Sequence, residues 1–414
     1  MKRDRKLHIC FDARKYRDGG IGVYIQNAIY GLVRQSVRLT VLINDEDTKK
    51  FFARFRGLDI EWPEDFTVLS VKAKPFSFAE LFSLQFELDW SQFDLFHTPN
   101  YLLPFGITCP CVVTVHDLIH IRHPERAAYP FLSAPLLYSS VMRARSLVCV
   151  SRATREDILK LCAHHSRVKR KTVVIPNALS PSFSRLSLQP ELLRTRFSLT
   201  SPYFLSVLST VKPHKGVSDL LQAFKRLEIK AEKAKKKRPQ LVLVGQGTEN
   251  FIKVEQLLRS ADALKDVRLL GTVSQQELRQ LYAQARALIV PSFREGYCLP
   301  VIEAQSVGTP VITRPIPAVL ENISPQDVVC NDFSVDSLVD GVARFMEREQ
   351  IEGEREFDNI LTQWQSDFTS RVDPVSLGAQ LYRWYADVVF NGSSGGRATY
   401  RQDSKSSEAA REVA

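Results

Sequence analysis

Two carboxylates eight positions apart, Glu295 and Glu303, are the part of this chain best suited to chemistry. Ala287-Leu288-Ile289-Val290-Pro291 before them is an apolar run of the kind that makes a buried strand. Leu299-Pro300-Val301-Ile302-Glu303-Ala304 reads as a helix start, with Pro300 in its first turn. Such a turn presents free backbone N–H groups and the positive end of a helix dipole at the carboxyl edge of a sheet, where anionic ligands bind. Glu295 then stands on the loop and Glu303 about a turn into the helix. Carboxylates repel a phosphate but accept hydrogen bonds from hydroxyls, so the pair suits a sugar or a ribose beside an anion. A loop glutamate and a solvated helix glutamate are the plain alternative. Against it, Ser306-Val307-Gly308-Thr309-Pro310-Val311-Ile312 continues the pattern as helix end, glycine cap and next buried strand.

Further chemistry stands where other strands end. Arg17-Asp18-Gly19-Gly20-Ile21-Gly22-Val23-Tyr24 follows the first strand and opens a helix, so Gly20 and Gly22 can bring backbone close to a ligand. The run lacks the third glycine of a dinucleotide loop, which argues against a nicotinamide dehydrogenase. Val113-Thr114-Val115-His116-Asp117 places His116 just beyond a buried strand, with Asp117 to orient it or to cap the next turn. In Ser209-Thr210-Val211-Lys212-Pro213-His214-Lys215-Gly216, Lys215 can meet a diphosphate as a point charge. Val244-Gly245-Gln246-Gly247 and Gly271-Thr272-Val273-Ser274 read as scaffold turns with some nucleotide contact. The nominal D-x-D of Asp45-Glu46-Asp47 precedes Thr48-Lys49-Lys50-Phe51 and reads as a helix cap, and Pro124 stops His116, His120 and His123 from sharing a regular helix as metal ligands.

Alternating strands and helices must position these residues. Strands are expected at Leu7 to Phe11, Leu39 to Ile43, Phe66 to Val71, Phe93 to His97, Val112 to Val115, Leu147 to Val150 and Thr172 to Ile175, with helices at Gly22 to Val33, Tyr129 to Met142 and Arg155 to Leu161. The pattern breaks into Pro, Ser and charged residues around Ser180 to Ser201, as a linker does. It resumes with strands at Tyr203 to Leu208, Leu241 to Val244, Val267 to Leu270, Leu288 to Val290 and Val311 to Ile312. The fold class is therefore α/β, with doubly wound parallel sheets. Leu377, Leu381, Trp384, Tyr385 and Val388 recur at helical spacing in a last helix, Ser376 to Phe390. The Gly, Ser, Arg and Glu-rich residues beyond it have nothing to bury and are expected to be disordered.

At 414 residues the chain exceeds one ordinary core, so two domains are expected. No apolar run reaches the roughly 20 residues that span a bilayer, and a cytoplasmic location is expected. Seven scattered cysteines read as buried small hydrophobes rather than a disulfide framework. A formal charge of +10 favours an anionic partner without naming it, and the run from Lys225 to Arg238 reads as a solvated helix end. Lys49-Lys50-Phe51-Phe52-Ala53-Arg54-Phe55-Arg56 and Phe76 to Phe86 mix bases and aromatics. Core-facing phenylalanines are the preferred reading, and a peripheral contact with an anionic inner membrane is the alternative.

Glu295 to Glu303 resembles the E-x7-E signature of retaining glycosyltransferases of family 4, whose GT-B fold has two Rossmann-like domains facing across a cleft. The resemblance extends over nearly residues 7 to 390. It implies an N-terminal acceptor domain at 1–185, a linker at 186–201, a nucleotide-sugar domain at 202–373, a helix at 374–390 packing back on the first domain, and a tail at 391–414. It also implies a donor site of Gly20, Gly22, Thr210, Lys215, Gly245, Gly296, Tyr297, Cys298, Leu299 and Glu303, with His116, Glu295 and Lys215 catalytic. Glu303 would take ribose hydroxyls, Glu295 the sugar, Lys215 the diphosphate, and His116 the donor sugar or departing phosphate. Neither metal nor cofactor is implied; the nucleotide sugar is a co-substrate, and a glycan or lipid-linked molecule is the acceptor. Thr210 stands where the family often has arginine, as in a subgroup that looks like O-antigen mannosyltransferases, which tilts the donor toward GDP-mannose. Cys298 stands where relatives often have glycine. A sugar-nucleotide epimerase and a non-enzymatic basic module binding membrane or nucleic acid are the alternatives, although no RNA motif or helix-turn-helix supports nucleic acid.

Overall fold

The computed structural model describes residues 5–44, 48–124, 129–183, 190–199, 202–208, 210–245, 252, 254–256 and 266–391. Asp45-Glu46-Asp47, Ser209, Gln246-Gly247 and the tail beyond Asn391 lie outside the described residues.

Two parallel sheets build the chain. The first holds seven strands, β1 (Leu7–Asp12), β2 (Val37–Ile43), β3 (Phe66–Ser70), β4 (Leu95–Thr98), β5 (Cys111–Val115), β6 (Ser146–Cys149) and β7 (Thr172–Val174), in the order β3-β2-β1-β4-β5-β6-β7. The second holds β8 (Tyr203–Leu208), β9 (Gln240–Gly245), β10 (Val267–Leu270), β11 (Ala285–Val290), β12 (Val311–Thr313) and β13 (Val328–Val329), in the order β10-β9-β8-β11-β12-β13. Central strands of such sheets are covered on both faces, so they read as unbroken apolar runs; every residue of β1, LHICFD, is buried. In each sheet the order reverses direction beside its first strand. The crevice outside the carboxyl ends there, between β1 and β4 and between β8 and β11, is where ligands of open sheets sit.

Several expectations are corrected. The first helix begins at Gly19 rather than Gly22, so all three glycines of the loop lie in its first turn (Gly19–Leu32). Residues expected to form only linker contain a helix, Pro190–Phe197, whose Leu193 is buried. A 37-residue helix, Val335–Arg371, and the two-residue β13 had no counterpart in the sequence reading. Phe51 and Phe55 face the core as expected, but Phe76, Phe78, Phe82 and Phe86 are exposed. All seven cysteines are free and buried, and the helix carrying the basic run ends at Lys233.

The helix Pro374–Phe390 packs on Gly19–Leu32 through two glycines in backbone contact. A Cβ on Gly31 would stand 2.1 Å from the Pro374 carbonyl oxygen, and one on Gly378 would stand 2.1 Å from the Gly31 carbonyl carbon. Trp384 Nε1 donates to Ser146 Oγ (2.8 Å), and Tyr385 hydrogen-bonds the buried His97. Gly31→Ala forces backbone apart, so we expect it to destabilise the protein by about 3 kcal/mol, read as a lower urea midpoint at unchanged m-value.

Candidate active site

The six-stranded sheet supplies one wall. After β11 the chain turns through Pro291–Cys298 into the helix Leu299–Ser306, and after β8 it turns through the one-turn helix Pro213–Lys215. The two turns touch: Phe293 N–H donates to the His214 carbonyl (2.7 Å). Gly216, at φ +65°, lies so close that a Cβ there would stand 2.1 Å from the Pro291 oxygen. This approach brings Lys215 Nζ to Glu295 Oε1 and Oε2 (2.7 and 2.9 Å), while Ser292 Oγ donates to Oε1 (2.7 Å). Burial opposes the lysine's charge, but Glu295 outweighs it and the Lys215 pKa is raised. Lys215 therefore keeps its charge at neutral pH.

Cys298, at the N-cap of that helix, adopts φ +67°, a left-handed conformation that costs a residue with a Cβ roughly 1–2 kcal/mol. The position favours glycine for that reason. Burial, then the Glu295 charge, raises the Cys298 thiol pKa well above its usual range, so it stays protonated. Glu303 accepts from the Tyr282 hydroxyl (2.9 Å), and burial lifts its carboxyl to about 7. Thr210 Oγ1 and the Tyr297 hydroxyl are buried without hydrogen-bond partners among the described residues. Thr210 precedes the Lys215 turn, whereas Tyr297 sits within the apolar core. Gly245 ends β9 opposite Leu208 with open space where a Cβ would be.

Sequence reasoning missed Arg314. It is fully buried, donates to the Pro291 carbonyl (2.7 Å) and to Asp219 Oδ2 (2.6 Å), and so ties the Pro291 turn to the helix after Lys215. An arginine directly after the buried strand β12 was the available signal.

The seven-stranded sheet supplies the facing wall. His116 follows β5; its Nε2 lies 3.2 Å from the Pro99 carbonyl oxygen and donates to it, which leaves Nδ1 as an acceptor. Burial lowers its pKa to about 4 against the opposing pull of Asp117, so it is neutral at pH 7. Asp117 caps the next turn by accepting from Ile119 N–H (2.9 Å). Gly20 faces across to the Leu299 side chain, 3.8 Å from where its Cβ would be, with no closer obstruction. Gly22 has a packing role instead, because a Cβ there would stand 2.6 Å from the Tyr16 oxygen. His120 stacks on Tyr101 at 4.5 Å, and among the described residues no His, Cys, Asp and Glu cluster is suited to a metal.

The walls meet at Gly296, where a Cβ would fall 2.0 Å from the His116 carbonyl oxygen. The Thr154 hydroxyl lies between the His116 and Gly296 carbonyls (3.1 and 3.3 Å), Glu321 accepts from Arg152 and Ala153 N–H (2.9 and 2.8 Å), and Arg294 pairs with Asp157. Glu295, Lys215, Cys298 and Leu299 thus gather opposite His116 and Gly20, with Glu303 behind Cys298. The arrangement can hold hydroxyls on carboxylates beside an anion on a lysine and a helix N-terminus.

Two family profiles match the chain: glycosyl transferases group 1 over residues 193–361, and glycosyltransferase family 4 over residues 18–183. O-antigen chain mannosyltransferase B of Escherichia coli is 28% identical over 251 residues, 59% of this chain and 63% of that protein. O-antigen chain mannosyltransferase RfbU of Salmonella typhimurium is 28% identical over 243 residues, 56% of this chain and 63% of that protein. The chain thus spans 63% of the length of these curated relatives. The crystal structure of Anabaena Alr3699/HepE in complex with UDP and glucose superposes with a TM-score of 0.69 at 16% identity, covering 91% of this chain and 98% of that one, and the shared fold is GT-B.

Gly296→Ala places a methyl group against the His116 carbonyl. We expect the lobes to be wedged apart, giving a larger radius of gyration by small-angle scattering, whereas the exposed-surface change Glu156→Ala leaves it unaltered.

Proposed function

This chain belongs to the family 4 glycosyltransferases, and from that premise we propose that it moves a sugar from a nucleotide-sugar donor to a glycan or lipid-linked acceptor in cell-surface polysaccharide biosynthesis, with retention of anomeric configuration. The observation that carries the reading is the Lys215–Glu295 pair, set against the His116–Asp117 segment by the Gly296 contact. Glu303 accepts ribose hydroxyls and Glu295 accepts hydroxyls of the sugar. Lys215 and the free N–H groups of the turn into Leu299–Ser306 carry the leaving diphosphate. The acceptor oxygen bonds to the anomeric carbon on the face from which the phosphate departs, and a departing phosphate oxygen takes the acceptor's proton. With no arginine at Thr210, Lys215 and the backbone amides bear most of the developing charge. His116, being neutral, suits a sugar hydroxyl better than it suits a phosphate.

Thr210 and the mannosyltransferase relatives support GDP-mannose as the donor. Those relatives are transferases and give no support to the epimerase or nucleic-acid readings. No helix among the described residues is long and apolar enough to cross a membrane. We place the enzyme in the cytoplasm, touching the inner membrane peripherally; Phe78 and Phe86, 84% and 82% exposed, support that contact.

Two outcomes are expected. Lys215→Met and Glu295→Gln should each cut sugar transfer by about 100-fold or more while far-UV circular dichroism is unchanged, with donors chosen by the melting-temperature rise that GDP, UDP, ADP and dTDP sugars produce. Because the Glu303 carboxyl titrates at about 7 and its carboxylate is the better hydroxyl acceptor, nucleotide affinity should rise between pH 6 and 8; Glu303→Gln should bind more weakly and flatten that profile in calorimetry.

A further inference from the structure

A second concavity opens on the opposite edge of the seven-stranded sheet. His116 follows the carboxyl end of β5, whereas Cys111 begins β5, Arg145 immediately precedes β6 and Lys171 immediately precedes β7. These last residues line a cavity of about 610 Å³ at the amino edge, remote from the lobe junction.

Its charge is one-sided. Arg143, Arg145, Arg167, Arg170 and Lys171 all line it, and among the described residues no Asp or Glu does. Two of the five have internal work. Lys171 Nζ donates to the Val141, Met142 and Ala144 carbonyls (2.5, 3.2 and 2.7 Å) at the end of the helix Tyr129–Arg143, and Arg143 donates to the Leu103 and Pro104 carbonyls while lying 4.0 Å over the Phe105 ring. Arg145, Arg167 and Arg170 pair with no carboxylate among the described residues. Burial lowers the Lys171 pKa to about 8, and the nearby Arg167 adds to the effect. Like charges crowded into a concave wall without counter-charges are unfavourable for the protein alone and favourable once an anion joins them.

Size and walls narrow the ligand. The volume falls within the range of organic ligand sites, roughly 300–1,000 Å³, and exceeds what a single inorganic anion fills. Leu103, Phe105, Ile107, Val388 and Val389 contribute apolar wall. We propose that this cavity is a second anion site that binds a phosphate-bearing organic ligand, with the phosphate on Arg145, Arg167 and Arg170 and an apolar portion against Phe105 and Val388. Arginine suits that task because its planar fork meets two phosphate oxygens at once. The phosphate can belong to a soluble molecule or to a lipid headgroup. The Phe82 ring, itself exposed, stacks on Phe105 at 5.3 Å, so the cavity adjoins the aromatic face. The site does not depend on the sugar-transfer reading.

The test is titration calorimetry of the full chain with pyrophosphate as probe. Arg167→Ser/Arg170→Ser should weaken binding at one site by roughly tenfold or more, and Lys215→Met should leave that site intact. Arg145→Ser alone, checked by circular dichroism, serves as the independent second variant and should weaken the same site. Co-sedimentation with phosphatidylcholine vesicles containing phosphatidylglycerol separates the sources. Loss of sedimentation in the double variant supports the site with a headgroup as ligand; arginine-dependent pyrophosphate binding without sedimentation supports it with a soluble phosphate. Pyrophosphate and vesicle binding that are the same in the wild type, the double variant and Arg145→Ser would overturn the proposal.

Discussion

Backbone contact at two glycines is the constraint on which the site depends. Gly216 lets the turn after β8 lie against Pro291 of the turn after β11, and Gly296 lets that second turn lie against the carbonyl of His116 in the other lobe. Without the first contact, Lys215 and Glu295, separated by 80 residues in sequence, lose their shared position. Without the second, the pair faces solvent instead of the N-terminal wall. A charged pair at such a junction also keeps its geometry better than an exposed one, because Ser292 holds the carboxylate and the surrounding burial limits screening.

Burial sets the protonation of the neighbouring carboxyls. Glu303 and Glu80 are both lifted to about 7 by desolvation, the latter in spite of its bonds to the buried Arg14, and Asp327 is lifted to about 6. Each acid holds its proton more tightly in the folded chain than in the unfolded one, so its contribution to stability is fully present below about pH 4 and declines as pH rises through 6 to 7. Glu80 accepts from Phe76 N–H and from Arg14, which also bonds Asp12 at the end of β1. The aromatic segment is thus tied to the central strand of its lobe through a buried triad, and its exposed phenylalanines project from a fixed base.

Local signals were legible and long-range ones were not. Apolar runs ending in glycine or charged residues located nearly every strand, and the strand ends carrying His116, Lys215 and Glu295 were found because parallel sheets put ligand chemistry there. The helix Pro190–Phe197 was hidden by its Pro and its charges, and β13 is too short to show a period. Exposure of Phe76 to Phe86 could not be read, because a phenylalanine near bases looks the same whether it faces core or solvent. Arg314, Thr154 and Glu321 act through partners 23 to 169 residues away, and spacing within a segment says nothing of such contacts. Gly20 and Gly22 looked alike in sequence, yet only the structure separates open space at one from a carbonyl at the other.

The last helix reaches the site from behind. Tyr385 bonds His97, whose Nε2 meets Thr114 Oγ1 at 2.7 Å; Thr114 in turn meets the Tyr24 hydroxyl at 3.2 Å, and the Tyr24 ring stands edge-on to His116 at 4.9 Å. Desolvation lowers the His97 pKa to about 3, so the ring is neutral and supplies one donor and one acceptor to these hydroxyls. Tyr385, His97, Thr114 and Tyr24 are fully buried, where a polar network holds its members in place only if every member is satisfied. The helix that supplies Tyr385 is seated by the Gly31–Gly378 contact. Its docking is therefore part of what fixes the orientation of His116, although the two lie more than 260 residues apart in sequence.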